Sequence, residues 1–205
     1  MPASTLATPT LRTKSFPGRF PIYYGWVNVF VAVVASVATL PGRTWGLGLI
    51  TNQLLVDFQL DKIRYAEINL WATLIGAAFC VPVGWLVDRL GARAMYLLVT
   101  LALAGVVIAF SQAAGHDEFF VYITLTRILG QSALSVIGLA MISKWFGRRM
   151  SSAMMLYMVG VLAGWIAAEL LVSTTAETHG WRYAWLCIGW ALLAAAPLGW
   201  LLARS

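Results

Sequence analysis

Thiols, imidazoles and ionised side chains are all scarce in this chain, and each scarcity narrows what it does. Its 205 residues include two cysteines and two histidines, and only 11% are charged. Cys80 and Cys187 both fall inside apolar runs, so they read as small hydrophobes rather than as a disulfide framework. His116 and His179 stand singly in turns, with no cluster at metal-ligand spacing around them. No glycine-rich loop leads into a Lys-Ser or Lys-Thr pair. A metal centre, a cofactor, an ATP-driven pump and an intramembrane protease are therefore not expected, and the chain does not read as an enzyme. Residues 1–22 are polar and hold no short apolar core ending in a small-residue cleavage site, which argues against a signal peptide.

What fills the chain is apolar: 60% of the residues are hydrophobic, and the mean hydropathy is +0.80. That leaves too little polar surface to clothe a soluble core, so membrane lipid must be part of the solvent. A bilayer core needs roughly 20 helical residues. Segments near Tyr24–Leu54, Tyr65–Val87, Ala94–Ala113, Phe119–Ser143, Ser151–Thr174 and Trp181–Ala203 meet that need. The first carries Pro41-Gly42 in its interior, which removes a backbone donor, so a bent or unwound helix is expected there.

The net charge of +6 does not point to nucleic acid, because the basic residues sit in short clusters between the apolar runs. Arg12, Lys14, Arg19, Arg89, Arg93, Lys144, Arg148, Arg149 and Arg204 fall on one side of the six spans, and Lys62, Arg64 and Arg182 on the other. Basic residues are retained in the cytoplasm, so both termini are expected there, in the plasma (inner) membrane.

Asp88, Gly91, Arg93 and Tyr96 return as Glu177, Gly180, Arg182 and Trp185 at a single offset of 89 residues. The expected organisation is a polar cytoplasmic tail (1–22) and two inverted three-helix repeats (23–113 and 114–205), an all-α polytopic membrane fold.

Gly84-Trp85-Leu86-Val87-Asp88-Arg89-Leu90-Gly91-Ala92-Arg93 resembles the loop signature of the major facilitator superfamily. Arg127-Ile128-Leu129-Gly130, Lys144-Trp145-Phe146-Gly147-Arg148-Arg149 and Gly180-Trp181-Arg182 are similar to features of the same family, and Tyr23-Tyr24-Gly25-Trp26 with the 144–149 turn resembles its monocarboxylate-porter-like branch. The resemblance covers residues 23–203, the amino-terminal half of a twelve-helix transporter. It implies a secondary active transporter working by alternating access, with Gly84, Asp88, Arg89, Gly91 and Arg93 as a conformational loop. Ala92 departs from the family, which often has a second basic residue there. The resemblance also implies a partner: a missing carboxy-terminal six-helix bundle, if the chain is a fragment, or a homodimer. The rival is a truncated, non-transporting membrane protein.

Charges within the spans mark candidate sites, since a charge at mid-bilayer costs about 2.5–3.5 kcal/mol on the lenient scale. Arg43 and Arg127 are each placed roughly 6 Å outward of the midplane, on spans that would both line the pathway. Two guanidinium groups at one depth suit a small anionic solute such as a carboxylate, which the planar fork grips in two parallel hydrogen bonds. Trp45 and Gln131 are expected beside them, with Trp71, Ser132, Ser135 and Tyr157 as further wall residues. Arg127 is equally readable as a brace that bonds helix carbonyls or Glu169. Glu169, within reach of a neighbouring arginine, is the candidate proton carrier; hydration near the outer interface is its duller reading. Trp26, Trp145, Trp181, Trp185 and Trp200 fall near span ends, where amphipathic rings collect.

Overall fold

The computed structural model describes residues 24–146 and 150–203. The expected tail (1–22), Tyr23, and the basic residues Arg148, Arg149 and Arg204 lie outside the described residues. The elements are α1 (Gly25–Val37), a 3₁₀ turn (Leu40–Gly42), α2 (Thr44–Gly48), α3 (Thr51–Asp57), α4 (Lys62–Ala78), α5 (Cys80–Leu90), α6 (Ala92–Ser111), α7 (His116–Thr126), a π-helical segment (Arg127–Leu134), α8 (Ser135–Trp145), α9 (Met150–His179) and α10 (Trp181–Leu202). No strand occurs among the described residues.

Five stretches are long and apolar enough to cross a membrane: Lys62–Leu90, Ala92–Ser111, Asp117–Trp145, Met150–His179 and Trp181–Leu202. The first expected span is broken instead. α1 stops at Val37, Pro41 cannot donate to the ladder, and the chain tightens into the 3₁₀ turn before Arg43 leaves it in an extended conformation. The chain then resumes as the short helices α2 and α3. The join between α4 and α5 at Phe79 has the same cause, since Pro82 has no N–H to offer the carbonyl of Ala78.

Broken backbone inside a membrane protein survives only where protein buries it, and here two irregular stretches cover one another. A Cβ placed on Gly42 would lie 2.2 Å from the carbonyl oxygen of Thr126, and one on Gly130 would lie 3.5 Å from the Cα of Gly42. The 3₁₀ turn of span one thus presses directly on the π segment of span four. Gly160 and Gly164 give α9 a similar approach to Val33 and Val37 of α1.

The most extensive pairing joins α6 and α10, which run antiparallel. Gly91 and Gly180 precede them with φ of 84° and 85°, a region that strains any residue with a Cβ. Each helix caps the other's far end. Arg93 donates through Nε to the carbonyl of Trp200 (2.8 Å), and Arg182 donates through Nη1 to those of Ser111 (3.0 Å) and Ala113 (2.8 Å). Trp181 and Trp185, read from sequence as interfacial, are instead buried: Trp181 joins Phe58, Phe110 and Phe119 in an aromatic cluster, and Trp185 sits in the core.

Candidate functional site

Arg127 opens the π segment, and its whole side chain is sealed, 1% exposed. Its Nη1 donates to Thr44 Oγ1 (2.9 Å) and to Gln131 Oε1 (2.8 Å), and its Nη2 donates to Asn69 Oδ1 (2.7 Å). One guanidinium therefore ties together α2, α4 and the π segment. Asn69 is oriented in turn by donating to the carbonyl of Tyr65 (3.0 Å), one turn back. Gly76, one turn beyond Ala72 on the same helix, leaves room for the Arg127 stem, its hypothetical Cβ being 3.1 Å from that of Arg127. Arg127 bonds neither helix carbonyls nor Glu169, the partners that the alternative brace reading named; its bonds run to side-chain oxygens of Thr44, Gln131 and Asn69.

Arg43 is half-buried. Its Nε donates to Thr39 Oγ1 (2.9 Å) and its Nη2 to Ser135 Oγ (3.3 Å), while the guanidinium lies over the ring of Trp165, 4.8 Å from the centroid. The indole of Trp45 meets Trp165 edge-on at 5.3 Å. Behind these groups the Ser36 carbonyl accepts from Thr39 Oγ1 (2.6 Å) and Trp165 Nε1 (3.2 Å), and the Ser36 hydroxyl bonds the hydroxyl of Tyr157. Tyr157 is thus a buried strut between α1 and α9 rather than a cavity wall.

The two arginines meet on span four. Arg127, Gln131 and Ser135 succeed one another about a turn apart, and Arg43 reaches the last while Arg127 reaches the second. Among the described residues the ion pairs are Arg64–Glu67 and Arg182–Asp57, so neither Arg43 nor Arg127 has a carboxylate partner. Glu169 is exposed, one turn after Trp165 and hence on the face of α9 that carries the indole over Arg43. Trp71 is exposed on α4, and Ser132 donates to the carbonyl of Gly76.

The loop motif forms the α5–α6 joint. Gly84 faces open space, Asp88 and Arg89 are exposed, and the Arg89 guanidinium stacks 4.0 Å over Trp85. Arg93 stacks 4.3 Å over Trp200 as it caps α10.

Sequence reading passed over Asn69, Thr44, Thr39, Ser36 and Trp165. Two carried a signal: Asn69 is a lone amide in an apolar span, and Trp165 lies mid-span, away from both belts where tryptophan usually collects. The π segment carried none.

Three relatives align with this chain. Monocarboxylate transporter 6 of Mus musculus is 29% identical over 194 residues, covering 87% of this chain and 38% of that protein. Monocarboxylate transporter 11 of the same organism is 28% identical over 187 residues, covering 87% and 40%. The nitrate/nitrite transporter NrtP of Picosynechococcus sp. is 28% identical over 133 residues, covering 64% and 23%. The chain thus spans about two fifths or less of each. A family profile described as Major Facilitator Superfamily matches residues 16–205, nearly all of the sequence, and the chain with its apolar helical bundle belongs to that superfamily of membrane transporters.

Proposed function

We propose that this chain forms the six-helix half of a secondary active transporter for a small organic anion, a carboxylate above all, moved by alternating access. One observation carries the reading. Two guanidinium charges lie within the bundle and, among the described residues, neither faces a carboxylate. An unpaired buried charge is costly, and an anionic solute supplies the missing countercharge on binding. The names of the relatives, two monocarboxylate transporters and a nitrate/nitrite transporter, agree in charge sign and in the planar oxygen pair they offer. A second six-helix bundle, from further chain or a second copy, closes the other wall of the pathway. The coverage of the relatives and the half-open position of Arg43 favour that completion. The repeats 23–113 and 114–205 fit the matched glycine geometry at Gly91 and Gly180. Glu169 is assigned the coupling proton, on the ground that it shares a helix face with Trp165.

Uptake of labelled propionate into proteoliposomes tests the proposal. Arg43→Gln lowers uptake more than about tenfold while the protein still melts cooperatively, because loss of a bidentate charged contact exceeds 1.4 kcal/mol. In the same vesicles Glu169→Gln removes stimulation by an inward proton gradient. Undiminished uptake by Arg43→Gln refutes the site; an intact gradient response in Glu169→Gln refutes the proton assignment.

A further inference from the structure

We infer that the two arginines divide the work: Arg43 alone hands donors to the solute, through the outer edge of its guanidinium, and Arg127 is a positioning residue that never touches it. This rests on the anion reading of the site and goes beyond it, because charge alone would let both groups bind.

The division follows from counting donors. A guanidinium has five N–H groups, arranged as a side-on fork (Nε with one Nη2 hydrogen) and an end-on fork (one hydrogen each from Nη1 and Nη2). In Arg43 the side-on fork is spent on two hydroxyls, Thr39 through Nε and Ser135 through Nη2. Nη1 makes no hydrogen bond and Nη2 makes one, so the edge bearing Nη1 stays open. The ring of Trp165 covers one face, and Arg43 is only half-buried, which leaves the residue within reach of a solute. A carboxylate fits that edge with two parallel bonds.

Arg127 is the reverse case. Both hydrogens of Nη1 are taken, by Thr44 and Gln131, so no end-on fork remains. The side-on fork depends on Nε, which is sealed from solvent and has no partner. Gripping a carboxylate would require Arg127 to release side chains from two other elements. Its partners are neutral oxygens of α2, α4 and the π segment, the elements that must move together if the bundle rocks as one body. Arg127 fixes Thr44, the residue after Arg43, and so aims Arg43 from behind.

The test splits affinity from turnover. Arg43→Lys keeps the charge and loses the fork, so KM for propionate uptake rises about tenfold or more with Vmax little changed. Arg127→Lys keeps charge but cannot hold three oxygens in one plane, so Vmax falls while KM stays within about threefold. Arginine-directed phenylglyoxal labelling of the unaltered protein, mapped by mass spectrometry, reads the contact without transport. Arg43 is modified and propionate shields it, whereas Arg127 is unmodified in either condition. Shielding of Arg127 by propionate, or a KM rise in Arg127→Lys equal to that in Arg43→Lys, overturns the division even if uptake is robust. Absence of both uptake and shielding in the unaltered protein defeats the anion reading itself, and this inference with it.

Discussion

Arg127 and Gly42 show how a site buried in hydrocarbon is kept in register by single residues. The Arg127 guanidinium needs Thr44 close by, and Thr44 is brought there by a turn that crosses span four with no side chain between. Gly42→Ala would put a methyl group 2.2 Å from the Thr126 carbonyl oxygen, and backbone on both sides leaves little slack. Overpacking of this kind costs about 1–3 kcal/mol. The variant is expected to melt several degrees lower in detergent and to lose propionate uptake, whereas Gly105→Ala, with nothing within 4 Å of the added carbon, melts within a degree or two of the parent. Equal melting temperatures would show that the crossing is looser than drawn. Both arginines were visible in the sequence as charges out of place in apolar runs. Their partners were not, because Asn69 and Thr44 become meaningful only when three helices converge.

Among the helices, α6 and α10 form a reciprocal pair, each begun by a glycine at positive φ and each capped by an arginine from the other. The offset of 89 residues pairs Gly91 with Gly180 in the sequence, and both adopt positive φ, 84° and 85°. An alanine at either position has to adopt a conformation nearly confined to glycine, at about 1–3 kcal/mol. Gly91→Ala and Gly180→Ala should therefore lower thermal stability by similar amounts in separate melts, and a drop in one alone would break the equivalence. The break in span one was legible from Pro41-Gly42, since proline's missing donor acts locally. The π segment was not. A π segment bonds i→i+5 and has no simple sequence signature; here it lies against the 3₁₀ turn, which approaches Thr126 and Gly130.

For the bundle as a whole, the placement of basic residues sets the expected orientation. Arg89, Arg93 and Lys144 gather at the end holding the α5–α6 joint, and Lys62, Arg64 and Arg182 at the end holding the aromatic cluster around Phe58 and Phe119. With the first group cytoplasmic, a membrane-impermeant thiol reagent added to intact cells should label Gln59→Cys and spare Leu90→Cys, in a background without Cys80 and Cys187. Labelling of Leu90→Cys alone would invert the protein and reverse the side from which Glu169 draws its proton. Exposed apolar side chains along the spans, such as Leu70, Val81, Leu162 and Leu171, suit contact with lipid or with a second bundle.

The helical class, five of the six expected spans and the weak point in the first could be read along the chain, because hydropathy and proline chemistry act residue by residue. Which oxygens surround each guanidinium is another kind of quantity. It depends on three or four segments, distant in sequence, arriving at one depth with one rotation, and only the packed bundle supplies that. Folding therefore leaves Nη1 of Arg43 without a partner and Nη1 of Arg127 with two, a difference that the linear chain does not carry.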